Sequence, residues 1–246
     1  MSHFNYAFLL ILNFFVFSVS SCAAENPAAR TEVWAPVPEV VSVNQQGIPS
    51  DAIVIFDGTD FSSLQAQDGS KVTWDLDDKV MTVKPGAGDI ITKESFCDVQ
   101  FHVEWRTPMK RYGESSQHWG NSGLKIQERY EVQILHSVNN PTYVNGQAGA
   151  IYKQSAPLVN ASLNAGEWQT YDIIYTAPRF NQQKKLTSPA YITLLHNGVL
   201  VQNHTEIKGK TLNVGDPSYL AHGCAPLKIQ EHTAKVSFRN LWARKL

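Results

Sequence analysis

The run Tyr130-Glu131-Val132-Gln133-Ile134-Leu135-His136 holds three side chains able to do chemistry: a carboxylate, an amide and an imidazole. If the run is a strand, Glu131 and Gln133 share the face opposite Val132 and Ile134, because side chains alternate with a period of two. His136 breaks that alternation, and one bulged residue would return it to the face of Glu131 and Gln133. Such a face can hold a hydroxylated substrate and take a proton from it. An amphipathic strand with a solvated outer face fits the same pattern. Just upstream, Asn121-Ser122-Gly123 opens Leu124-Lys125-Ile126-Gln127. Here Leu124 and Ile126 are expected to face a core, and Lys125 and Gln127 to face out. A short connection would merge the two polar faces.

Positioning these groups takes a sheet, and the chain is rich in strand signals. Asp51 to Phe56 reads as the first strand, and Trp74 to Val83 as a hairpin with an acidic turn. Phe101-His102-Val103-Glu104-Trp105-Arg106 alternates apolar and polar, which makes His102, Glu104 and Arg106 solvated or cross-strand charges. Ala150-Ile151-Tyr152 reads as a short strand and Trp168 to Tyr175 as a longer one. Ala190 to His196 runs into Asn197-Gly198, the strongest hairpin turn signal present. Leu227 to His232 and Val236 to Ala243 close the series. Many short strands, frequent turns and no long helical pattern predict an antiparallel β-sandwich over residues 51–246.

Composition narrows the function. The 246 residues carry a net charge of −1 and only 17% charged residues, which argues against an electrostatic nucleic-acid binder. There is no phosphate-binding glycine loop, no CxxC or HExxH, and no Gly-x-Ser-x-Gly elbow. The histidines are scattered rather than at ligand spacing, so a zinc site would need convergence in space. No cofactor or metal is expected. Residues 1–21 read as a signal peptide whose apolar run is short for a membrane span. Val19-Ser20-Ser21-Cys22 resembles a bacterial lipobox, with Cys22 as the lipidated mature N-terminus and plain secretion or a retained anchor as alternatives. Residues 22–50, with four prolines, read as a tether and lead-in. Cys97 and Cys224 are either a disulfide or two small buried hydrophobes, and we lean to the unpaired reading.

Taken together, the motifs become specific. They are Phe56-Asp57-Gly58-Thr59-Asp60, Asn121-Ser122-Gly123, Tyr130 to Leu135, Gly149-Ala150-Ile151-Tyr152, Gly166 to Asp172, His196-Asn197-Gly198-Val199, Ile229-Gln230-Glu231-His232 and Phe238-Arg239-Asn240-Leu241. In this order they resemble the 3-keto-disaccharide hydrolase domain family, over roughly Asp51 to Leu246. The resemblance implies a concanavalin A-like jelly roll, an all-β sandwich of two antiparallel sheets. It also implies an envelope protein acting on a saccharide, which the lipid expected on Cys22 would hold to the membrane. The scattered Asp residues argue neither for nor against the structural Ca²⁺ that some jelly rolls hold. The family usually has Asp where this chain has His136, so the strand does not supply the carboxylate pair of a two-carboxylate glycosidase.

The family's substrate suggests chemistry that does without the pair. A ketone at C3 acidifies the proton at C2, the resulting enolate expels the group at C1, and water then adds. On this reading His136 is the first choice of base. Glu131 is the rival base or the group that orients the histidine. Lys125 and His232 would stabilise the enolate or protonate the leaving oxygen. Asn121, Gln127, Gln133 and Gln230 would hold sugar hydroxyls, with Trp119 and Tyr152 as stacking or core residues. The competing class is a non-catalytic carbohydrate-binding lipoprotein of the same fold.

Overall fold

The structure, a computed structural model, describes residues 27–246. Cys22 and residues 1–21, the expected signal peptide, lie outside the described residues. The chain divides into two compact units, residues 1–40 and Val41–Leu246. The described part of the first holds an exposed 3-10 turn, Pro27–Thr31. The second is the β-sandwich. In chain order its strands are β1 (Ile53–Phe56), β2 (Leu64–Ala66), β3 (Asp75–Asp77), β4 (Val80–Thr82), β5 (Ile90–Phe96), β6 (Val99–Arg106), β7 (Ser122–Ile126), β8 (Tyr130–Ile134), β9 (Gln169–Thr176), β10 (Arg179–Phe180), β11 (Leu186–Ser188), β12 (Ala190–His196), β13 (Val199–Ile207), β14 (Ala225–Ile229) and β15 (Ser237–Lys245).

One sheet runs β13-β12-β9-β6-β15-β4-β3, with β1 also pairing β15; the other runs β2-β5-β14-β7-β8. A small β10–β11 hairpin stands apart. Every recorded pairing between strands of the two sheets is antiparallel. The jelly-roll sandwich expected from the motifs is therefore the fold. Local turn chemistry agrees with it. Asn197 and Gly198 take φ of 53° and 76° and close the β12–β13 hairpin, the mirror-image turn that suits the strand twist. Asp78 and Lys79 do the same between β3 and β4, with φ of 43° and 62°.

The core lies between the sheets. Phe101, Val103 and Trp105 of β6 and Tyr171, Ile173 and Tyr175 of β9 face Leu124, Ile126, Val132 and Ile134 of the β7–β8 hairpin. Their partners in the alternation point outwards: His102 bonds Asp172 at 2.6 Å across β6–β9, and Glu104 accepts from Arg239 Nε at 2.6 Å across β6–β15. Two buried phenols cross the core, Tyr171 donating to Gln133 O (2.8 Å) and Tyr175 to Gln127 Oε1 (2.9 Å).

Three expectations change. Cys97 and Cys224 form a disulfide, with Cα atoms 4.7 Å apart. The reason is register: Phe96 and Ala225 are partners on β5 and β14, so the cysteines just outside them fall opposite each other. Ala150–Tyr152 is not a strand; Ile151 makes only isolated bridges to Val132 and Ser155. Strand β8 carries no bulge, its register with β7 running unbroken from Tyr130 to Ile134.

Candidate active site on the five-stranded sheet

The outer face of the five-stranded sheet gathers most of the candidate site residues. Successive register partners Gln65, Ile91, Lys228, Lys125 and Glu131 form one row across it. Period-two alternation puts Lys125, Glu131, Gln133 and Lys228 on this face because Leu124, Ile126, Val132 and Ile229 occupy the other. The Lys125 ammonium lies 3.5 Å from Glu131 Oε2. Lys228 sits between Asp89 at 3.7 Å and Glu128 at 3.8 Å.

Glu131 is 6% exposed. Burial pushes its carboxyl above the usual carboxylate range, and Lys125 pulls only part of the way back. The close fit depends on Gly123, the register partner of Gln133. A Cβ there would lie 2.8 Å from Glu131 Oε1, so only glycine leaves the carboxylate its place. The Gln133 amide, turned to donate, bonds Ser122 O (3.1 Å) and Glu131 Oε1 (3.2 Å). A buried carboxylate is thus held by a lysine and an amide with its backbone fixed in a strand.

Above this pair is a cavity of about 250 Å³. Lys125 and Glu131 line it from the sheet, with Asn121 and Gln230 from the ends of β7 and β14. Tyr152, His232, Thr211 and Asn213 complete the wall. Gln230 Oε1 is buried without a partner, an acceptor awaiting a donor. The Tyr152 hydroxyl is 2.7 Å from that of Tyr143, and burial raises its pKa, which keeps the phenol protonated. Loop 208–224 is tied to β8 where Thr211 Oγ1 accepts from Glu131 N at 3.0 Å. Lys153 anchors the same loop through the backbone and side-chain oxygens of Asn213.

The structure therefore brings together Glu131, Lys125, Asn121, Gln230, Tyr152 and His232, with Gln133 behind the carboxylate. It separates three others. His136 lies beyond the end of β8, where its N–H bonds Trp119 O at 2.9 Å, and its ring packs on Trp119 with centroids 4.0 Å apart. It is 4% exposed, and burial lowers its pKa, so the imidazole is neutral. Trp119 donates to Pro108 O, and neither ring lines the cavity. Gln127 turns inward: at φ 52° it donates to Phe96 O (2.9 Å) and accepts from Tyr175, a core role rather than a sugar contact. Reasoning from the sequence missed Thr211 and Asn213, whose loop has no periodicity to read. It also missed Lys228, which the alternation Leu227-Lys228-Ile229 does signal.

A larger cleft of about 850 Å³ opens on the eight-stranded sheet and includes Glu104. His102, 3.8 Å away, and hydrogen bonds from Asn240 and Arg239 hold that carboxylate down to about 2, which makes it a poor base. Among the described residues no three His, Cys, Asp or Glu side chains gather as a metal site.

Residues 51–244 match the model of the 3-keto-alpha-glucoside-1,2-lyase-like domain. A crystal structure from Parabacteroides distasonis ATCC 8503, provisionally described as a glycosyl hydrolase, is 47% identical with a TM-score of 0.85; the match covers 89% of this chain and 96% of that one. Two more structures from that organism, under the same description, share the fold at 20% and 18% identity, with TM-scores of 0.58 and 0.56. Each match covers 79% of this chain, and 94% and 99% of the other. No curated protein matches the chain.

Proposed function

We propose, from the premise that the chain belongs to the 3-keto-alpha-glucoside-1,2-lyase-like domain family, that it is a carbohydrate-active enzyme cleaving the glycosidic bond of 3-keto-glycosides by elimination and hydration. The observation that carries this reading is the buried Glu131 beside Lys125 in the cavity. Among the described residues Glu131 is the one carboxylate lining the cavity, and these residues supply no two-carboxylate pair of the kind used in direct glycoside hydrolysis. Removal of an acidic C–H needs one base and one electrophilic partner, and the cavity has both.

Glu131 takes the C2 proton of the sugar, and its raised pKa makes it a stronger base than a solvated carboxylate. The C–H electron pair moves into an enolate whose oxygen is the former C3 carbonyl. Lys125, within 3.5 Å of the base, donates to that oxygen. Collapse of the enolate re-forms the ketone, makes the C1–C2 double bond and breaks the C1–O bond. The leaving oxygen takes a proton from Tyr152 or from His232 at the exposed rim. Water then adds its oxygen at C1 and a proton returns to C2. Asn121 and Gln230, the latter through its unpartnered Oε1, hold ring hydroxyls. His136 has no step, since it lies off the cavity, and the departure from the family's Asp therefore leaves the lining intact. That favours an enzyme over a binding module. The disulfide, together with the leader and Cys22, supports an exported, lipid-anchored protein in an oxidising envelope.

The test is incubation with a 3-keto-β-glucoside and detection of free 3-keto-glucose. Wild-type release that Glu131→Gln cuts about 10²-fold or more supports the reading. Saturable binding of the glycoside without product would replace it with the carbohydrate-binding module.

A further inference from the structure

The cleft on the eight-stranded sheet is built from groups that the proposed reaction does not use. Glu104 and Arg106 come from β6, and Arg239 and Asn240 from β15. Trp168, just before β9, lies against both guanidiniums, with the Arg106 and Arg239 carbons 4.7 and 4.1 Å from its ring centroid. These are cation–π distances, and the contact holds both side chains against the ring. Arg239 Nε donates to Glu104 Oε2, and Asn240 Nδ2 donates to Glu104 Oε1 at 2.8 Å. Arg106 is different. Among the described residues it makes no ion pair and its side chain makes no hydrogen bond, so its fork of N–H donors is oriented but unused. The β3–β4 turn brings Asp77, Asp78 and Lys79 to the same cleft, and Asp57 joins them, all exposed.

We propose that this cleft binds an acidic saccharide, with a uronate carboxylate on Arg106 and hydroxyls donated to the aspartates. The two halves of the lining select this class. Three exposed aspartates, Asp57, Asp77 and Asp78, outweigh the single Lys79 beside them and disfavour a polyanion such as a nucleic acid or polyphosphate. A neutral sugar leaves the Arg106 fork without its match, since that geometry pairs two N–H groups with the two oxygens of a carboxylate. A sugar with one carboxylate and several hydroxyls satisfies both parts. The volume of about 850 Å³ falls in the range of small-ligand sites. The site lies on the sheet opposite the reaction cavity, so it would hold a glycan while the cavity works on another sugar.

The experiment is isothermal titration of the full chain with glucuronosyl-β-1,4-glucose and, separately, with its neutral analogue cellobiose. One saturable site for the acid is expected, with cellobiose weaker by about tenfold or more, as loss of a charged hydrogen-bonding partner implies. Arg106→Gln should weaken the acid by a similar factor, and Arg106→Lys, which keeps charge without the fork, by less. Both variants should retain the wild-type melting temperature and 3-keto-glycoside turnover, and Glu131→Gln should bind the acid normally. Three results would overturn the proposal: no saturation by the acid, equal affinity for the acid and cellobiose, or affinity lost with Glu131→Gln and kept with Arg106→Gln. The last would move binding to the reaction cavity.

Discussion

At the residue scale the proposed reaction rests on Glu131, whose burial would serve reactivity at the expense of stability. Its folded-state pKa is raised above the ordinary 4.5. The protonated form is therefore the better tolerated, and stability is lost as pH rises from the unfolded value through the folded one. Glu131→Gln should then melt higher than wild type at neutral pH while losing about 10²-fold or more in turnover. A calorimetric scan beside the assay checks both, and a variant that melts lower would contradict the burial argument. The sign reverses for the rate. A base works ionised, so turnover should fall in acid with a midpoint above that of a solvated carboxylate. Lys125→Met should carry that midpoint to still higher pH, because Lys125 is what pulls the carboxyl down. A pH–rate profile unmoved by this change would show that the pair is not coupled. Gly123→Ala tests the geometry alone, for its Cβ would press on the carboxylate and not on the backbone. It should leave the melt near wild type and cut turnover. Most of this group was legible in the sequence, since Lys125, Glu131 and Gln133 follow strict alternation. His136 was misplaced because its position depended on a bulge that β8 does not have.

At the scale of elements, the strands and hairpins follow from alternation and turn chemistry, whereas contacts between distant segments do not. His102 shows how much one strand's outer face contributes. Burial alone would lower its imidazole, but the hydrogen bond to Asp172 and the nearby Glu104 carboxylate carry it up to about 9. Its contribution to stability is present in full below about 6.5 and is lost as pH rises through about 9. Urea midpoints should decline across that window, and His102→Gln should flatten the decline; an unaltered slope would rule the pair out as its source. His196 works at the other end. Fully buried against Trp105 and Tyr171, it is held down to about 4, so its contribution disappears as pH falls from about 6.5 through about 4. The disulfide ties β5 to β14, the strand that carries Lys228 and leads to Gln230, across 127 residues of sequence. Replacing both cysteines with serine should cost about 2–4 kcal/mol by urea unfolding. This link was illegible because it depends on the β5–β14 register, which joins segments with no sequence signal for one another. Thr211 and Asn213 escaped for the same reason.

At the scale of the whole molecule, the two proposals place two tasks on opposite sheets of the sandwich. The five-stranded sheet places one base and one ammonium under a small cavity, and the eight-stranded sheet carries a broad cleft with an unspent arginine. The fold class was legible because a dozen short alternating strands with strong turns leave little else to form. The choice of outer face for the proposed reaction was legible only through the motif around Glu131. The central claim, that the bond is broken after proton removal at C2, is tested most directly by cleaving a 3-keto-glucoside in D₂O and locating deuterium in the product. Elimination and hydration deliver one solvent hydrogen to C2. The account predicts deuterium there at each turnover, above that in 3-keto-glucose incubated alone, and loss of both product and label with Glu131→Gln. Product that keeps its original C2 hydrogen would mean direct hydrolysis at C1 and would contradict the assignment of Glu131 as the base.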